Sequence, residues 1–271
     1  MLDSETFGFA IARPFQEVYE FLLEPTNFAK WAFVGDVAMR HLGGRDWTME
    51  TSVGPRIIRF ARRNGLGVLD HTALRHAGDA PHPTGMWLVA NGAGSELIYT
   101  NYRRPGMGDA EWASLKDWLV TDLLALQSLL ETRGRLEPMP PVHLASYRID
   151  RPVKEVYEFL QGPKNFGLWA FAGNAEMMSL GGGEWAVETS VGRRIIRFAE
   201  RNELGVLTYY SRLGPGLPAH PIPMRVAANG EGTELTYVFL KRPDLAEAEW
   251  KSLIEWVKTD LEALRSLLET R

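Results

Sequence analysis

A phrase near the start of the chain, Pro14-Phe-Gln-Glu-Val-Tyr-Glu-Phe-Leu22, returns as Pro152-Val-Lys-Glu-Val-Tyr-Glu-Phe-Leu160. The offset of 138 residues then holds without a gap to the end, through Trp31/Trp169, Trp47/Trp185, Asn91/Asn229, Trp112/Trp250 and Arg133/Arg271. About half of the aligned positions are identical. Solenoid units repeat every ~20–50 residues, so this period is a whole domain copied once. The sequence predicts a first copy over 1–134, a linker over 135–141 and a second copy over 142–271. Pro138, Pro140 and Pro141 make that linker short and semi-stiff.

Composition narrows the chemistry. The 271 residues include no cysteine, which excludes a disulfide scaffold, a thiolate nucleophile and Cys-ligated zinc. A net charge of −4 argues against nucleic acid as the main partner. No stretch approaches the ~18 apolar residues of a membrane span. The acidic start, Met1-Leu2-Asp3-Ser4-Glu5, lacks the apolar core of a secretory signal. The expectation is a soluble cytoplasmic protein with no membrane partner. No phosphate loop, nucleophile elbow or zinc motif is present, and no cofactor is implied.

Within the first copy, Phe7 to Arg13 alternates as a strand does. Pro14 can open a helix whose apolar face is Phe15, Val18, Tyr19 and Leu22. A short second helix over Asn27–Trp31 follows, with Thr26 or Asn27 as a possible cap. Strand-like runs cover Asp46–Val53, Arg56–Arg63, Leu66–Leu74, Met86–Asn91 and Glu96–Arg103, after a Gly43-Gly44 turn. Asn64-Gly65 and Asn91-Gly-Ala-Gly94 read as hairpin signals. From Asp109 a long helix carries one stripe: Trp112, Leu115, Leu119, Leu123, Leu126 and Leu130. The order is β-α-α, six strands, α. The stripe has one obvious place to be buried, across a curved antiparallel sheet.

That order resembles the START/polyketide-cyclase (SRPBCC) superfamily. The residues that carry the resemblance are Ile11-Ala-Arg-Pro14, Val18-Tyr-Glu-Phe21, Pro25-Thr-Asn27, Trp31, Asn91-Gly-Ala-Gly-Ser-Glu96, Asp122-Leu123 and Leu129-Leu-Glu131. The resemblance spans nearly all of both copies. It implies an α+β chain of two tandem helix-grip domains, each a curved antiparallel sheet wrapped around its C-terminal helix. It also implies a cavity between sheet and helix for a small hydrophobic or aromatic molecule. The similar bacterial single-domain members carry Leu-Asp-His on one strand and Pro-x-Arg-Val-x-x-Asn-Gly further on. Here that pattern is split. Copy 1 has Leu69-Asp70-His71 but Trp87 in place of the arginine; copy 2 has Pro223-Met-Arg225-Val226 but Thr208 and Tyr209.

The candidate ligand-binding residues are Trp47, Arg59, His71, Tyr99, Trp118 and Asp122 in copy 1. In copy 2 they are Trp185, Arg197, Arg225, Tyr237, Trp256 and Asp260. No catalytic residue and no metal ligand is assigned. Adjacent strand residues face opposite ways, so Asp70 and His71 cannot form a dyad by themselves. Along the third strand-like run Arg56 shares a face with Ile58 and Phe60, and Arg59 with Ile57 and Ala61. Arg59 and Arg197 are the anion candidates, against outward pairing with Glu50 or Glu188. Asp122 and Asp260 sit beside the helix stripe, as a general base or as the partner of a sheet arginine. His82-Pro83 and His220-Pro221 are a cavity-mouth imidazole or a plain turn. The aromatics are cavity lining or simply core.

Three functions fit. The preferred one is a tandem binder of a hydrophobic or aromatic ligand. The others are a cyclase- or dehydratase-type enzyme using acid–base chemistry, and an interaction module with filled cavities acting as an intramolecular pseudo-dimer. A void of about 300 Å³ or more favours binding. If Arg225 faces the cavity, copy 2 prefers an anionic ligand and copy 1 a neutral one; if it faces outward, the difference is surface chemistry.

Overall fold

In a computed structural model, described here for residues 1–34, 38–51, 54–74, 80–171, 173, 175–189 and 192–270, the chain divides into units Leu2–Met139 and Pro140–Arg271. Unit 1 runs β1 (Ser4–Ile11), α1 (Phe15–Leu23), α2 (Pro25–Phe28), a 3₁₀ turn (Ala32–Val34), β2 (Met39–Gly43), β3 (Asp46–Thr51), β4 (Gly54–Phe60), β5 (His71–Leu74), β6 (His82–Asn91), β7 (Gly94–Tyr102) and α3 (Asp109–Glu131). Its seven strands form one antiparallel sheet in the order β1-β7-β6-β5-β4-β3-β2.

Helix α3 buries the stripe its spacing announces. Leu119, Leu123, Leu126 and Leu130 pack with Ile58, Met86, Leu88, Leu97 and Tyr99 of the sheet. The helix end is tied to the sheet edge by Glu131, whose Oε1 accepts from the Ala12 backbone N–H at 2.8 Å. Ser95 Oγ donates to Arg13 O at 2.9 Å. Thus Ser95 and Glu131, two of the residues behind the family resemblance, hold the corner where β1 turns into α1.

Two expected features are corrected. The expected strand Leu66–Leu74 shrinks to His71–Leu74, because Asn64 organises the preceding loop: its Oδ1 accepts from Leu66 N (3.0 Å) and Val68 N (3.1 Å). Gly67 in that loop has φ +74°, and a Cβ there would lie 2.3 Å from Leu88 O, so only glycine fits. The cap of α2 is Glu24, whose carboxylate accepts from Thr26 N, rather than Thr26 or Asn27. The expected strand end at Val53 lies outside the described residues.

Unit 2 repeats the plan: β8 (Val142–Ile149), α4 (Val153–Gln161), α5 (Pro163–Phe166), β9 (Met177–Gly181), β10 (Glu184–Thr189), β11 (Gly192–Phe198), β12 (Tyr209–Arg212), β13 (His220–Ile222), β14 (Met224–Asn229), β15 (Gly232–Leu240) and α6 (Glu247–Glu269). Here the sheet is in two pieces, β13-β12-β11-β10-β9 and β14-β15-β8. The break is at Pro223, which stands where unit 1 has Gly85. Gly85 keeps the ladder opposite Thr100, whereas proline has no N–H to give. Helix α6 buries Trp250, Leu261, Leu264 and Leu268. Glu269 Oε1 accepts from Asp150 N at 3.0 Å, the counterpart of the Glu131 tie. Among the described residues no helix is long and apolar enough to cross a membrane.

Candidate functional site

Between sheet and helix each unit holds a cavity partly open to solvent. In unit 1 it measures about 340 Å³; in unit 2, about 110 Å³. The unit 1 walls are Phe28, Trp31, Phe33, Ile58, Leu115, Trp118 and Leu119, with polar groups from Arg56, His71, His82, Thr84, Tyr99, Asn101 and Asp122. The strand registers bring these together. His71 lies opposite Thr84, Thr84 opposite Asn101, and Tyr99 opposite Met86.

His71 is 5% exposed, and its Nδ1 has no hydrogen-bond partner among the described residues. Burial pushes its pKa from the usual 6.5 down to about 4, against the opposing pull of Asp70 and the Leu69 backbone. The ring is therefore neutral at neutral pH. It lies edge-on to Phe28 (5.4 Å) and Tyr99 (6.2 Å). Burial raises the Tyr99 phenol, helped by the Asp122 charge and opposed by a bond to Thr84. His82 Nε2 donates to Tyr102 O at 2.7 Å.

Asp122 reaches the cavity, but its contact on the far side is structural. Its Oδ2 accepts from Phe33 N at 3.0 Å, and Phe33 carries φ 58°. Asp260 does the same for Phe171 (2.8 Å, φ 57°). Non-glycine residues rarely hold that conformation, so each aspartate pins a strained turn against the long helix. In both units this contact is to a backbone amide.

Of the expected site residues, His71, Tyr99, Trp118 and Asp122 line the unit 1 cavity, and Tyr237, Trp256 and Asp260 that of unit 2. Trp118 is 50% exposed, so it is wall rather than core. The other five lie elsewhere. Arg59 points outward and binds Asp46 through two bonds of 2.6 and 2.7 Å, rather than Glu50. Arg197 lies over the Tyr210 ring at 5.0 Å. Trp47 and Trp185 pack at the edges of their cores, Trp47 4.9 Å from the His41 ring.

Arg225 faces away from the cavity because its neighbours Met224 and Val226 take the core side. It is buried, and its Nε donates to Leu204 O at 3.1 Å. In unit 1 Trp87 Nε1 donates to the equivalent carbonyl, Leu66 O, at 2.9 Å. The two unlike residues therefore fasten the same loop. Asp70 is also structural, since its Oδ1 accepts from Met86 N at 2.9 Å.

The arginines that do face the cavities are Arg56 and Arg194, on the Ile58/Ile196 face, together with Arg104 and Arg242. Arg56, Ala73 and Asn101 were findable by counting two residues from Ile58, His71 and Tyr99.

No family model matches the sequence, and no curated protein does. Similar solved structures include DynU16, a protein in the dynemicin biosynthetic locus: 17% identity over 99% of this chain and 98% of that one, TM-score 0.40. The di-domain ARO/CYC StfQ from the steffimycin biosynthetic pathway is 12% identical over 98% and 99%, TM-score 0.37. A START superfamily protein from Mycobacterium smegmatis is 11% identical over 48% and 97%, TM-score 0.40. Likeness at this level decides nothing about function. The elements themselves fix the fold: in both units antiparallel strands grip a long C-terminal helix after an opening β-α-α, so the chain has the helix-grip fold twice over.

Proposed function

We propose that unit 1 binds a small, largely apolar, uncharged molecule, such as a hydroxylated two-ring aromatic, between its sheet and α3. The observation that carries this reading is the cavity of about 340 Å³, within the ~300–1,000 Å³ range of small-molecule sites. Its walls are aromatic and aliphatic, and a few polar groups converge on it. The charged lining groups balance: Arg56 and Arg104 against Glu111 and Asp122. An uncharged ligand keeps that balance.

A second reading is acid–base catalysis on the bound molecule. A neutral imidazole with an unshared nitrogen, facing a phenol in a partly apolar site, has the groups for proton transfer.

The test is calorimetric titration of the full chain with 2-naphthol, beside the variant His71→Tyr/Asn101→Phe. That variant installs the unit 2 residues Tyr209 and Phe239 at the equivalent positions. Binding should occur in the wild type and weaken at least tenfold in the variant. Equal binding by both proteins, or none by either, overturns the proposal. Native mass spectrometry of the purified chain separates the two readings: a co-purifying molecule released unchanged supports binding alone, and one whose mass changes on incubation supports catalysis.

A further inference from the structure

The cavity of unit 2 differs in kind as well as in size. Its charged lining groups are Arg194, Arg242 and Asp260, with Asp244 beside Arg242 outside the lining. Glu249, the counterpart of the lining residue Glu111, instead turns back to accept from Ala246 N at 3.0 Å. Asp260 already accepts from Phe171 N.

Both arginines hold buried Nε atoms with no hydrogen-bond partner among the described residues. Asp244 lies 3.3 Å from Arg242 Nε but out of hydrogen-bonding geometry, so it pairs by charge alone. Ser211, 7% exposed, lines the same cavity with an unpartnered buried Oγ. Burial and the nearby Arg242 charge both lower the pKa of Arg194, so two like charges crowd one pocket. A single anion between the two guanidinium groups relieves the repulsion. In unit 1 the equivalent Arg56 donates to Gly54 O (3.3 Å) and Pro55 O (2.7 Å).

The rest of the unit 2 lining is apolar, chiefly Phe166, Phe239 and Trp256. A cavity of roughly 150 Å³ accepts benzene, so about 110 Å³ is on the scale of a single ring. We propose that unit 2 binds a compact monocarboxylate, an aromatic or short-chain acid, with its carboxylate on Arg194 and Arg242 and its body against the aromatic wall. This site is independent of the unit 1 reading.

The test titrates the full chain with sodium benzoate and with benzamide, its uncharged analogue of similar shape. Both the wild type and the His71→Tyr/Asn101→Phe variant are used, so that unit 1 contributes nothing in the latter. Benzoate should bind both proteins at one site per chain, at least tenfold more tightly than benzamide. Arg194→Gln and Arg242→Gln should each weaken benzoate at least tenfold and leave 2-naphthol binding by unit 1 unchanged. Equal affinity for benzoate and benzamide in the wild type, no benzoate binding, or full binding by the arginine variants overturns the proposal. The wild-type comparison stands even where a variant fails to fold.

Discussion

The two units share a backbone plan and about half their residues, yet one holds about 340 Å³ and the other about 110 Å³. Three strand positions add most of the bulk. Where unit 1 has His71, Thr84 and Asn101, unit 2 has Tyr209, Ile222 and Phe239, each bulkier. Tyr209 reaches the phenol opposite, with Tyr209 Oη 2.6 Å from Tyr237 Oη, and so occupies space that His71 leaves open. Phe239 stacks on Trp250 at 5.0 Å. The scaffold thus supplies a wedge between sheet and helix, and a few inward side chains decide whether the wedge is a chamber or a slot.

The comparison can be broken first at what the units share. Leu123 and Leu261 are fully buried at equivalent turns of the long helices. Leu123→Ala and Leu261→Ala should each cost about 2–5 kcal/mol in their own unit. Hydrogen exchange under mild denaturant shows which unit opens; a marked inequality would mean that the cores are not equivalent.

His71 provides a sharper division. Its folded pKa of about 4 lies below the usual 6.5, so the unfolded chain takes up the proton first as the solution is acidified. Unit 1 therefore loses about 3 kcal/mol of stability from this group between pH 6.5 and pH 4. Glu96 opposes this. Burial raises its pKa to about 7, so its contribution falls as pH rises from 4.5 to 7. The two slopes nearly cancel in wild type, so its urea midpoint should stay nearly level between pH 7 and pH 4.5, whereas that of His71→Gln should rise as the solution is acidified, because only the Glu96 part remains. Identical pH profiles would mean that the imidazole is not buried and neutral.

Trp118→Ala should cost less than the ~3–5 kcal/mol of a core tryptophan, since half of the residue is already exposed. Binding of 2-naphthol should weaken more than the melting temperature falls, and the reverse order would return Trp118 to the core. The smallest effects belong to Arg59→Ala and Arg197→Ala. Both residues are exposed, and neither lines a cavity. Thermal melts and both ligand titrations should match wild type, and a loss of binding would mean that the cavities extend to the outer face.

The architecture was legible because it rests on periodicity. The 3.6-residue stripe of α3 and the run of strands before it admit one packing. Local chemistry that overrides periodicity was harder to read. Asn64 bends an apolar run into a loop, and Pro223 cuts a strand that its copy keeps whole. The cavity was half legible. Counting in twos finds residues on one face, but every residue of β7 is buried, so polarity does not mark which face meets the ligand space. Arg59 and Arg225 are chemically apt for an anion, but alternation along their strands places them outside the cavities.

The 138-residue repeat carries a genetic consequence. In an assembly of identical subunits every mutation is imposed on all sites at once, so a change that narrows one pocket narrows its twin. Two copies in one reading frame escape that constraint. His71 and Tyr209 are free to diverge while both pockets are made in equal number on every molecule, with no sorting of unlike partners during assembly.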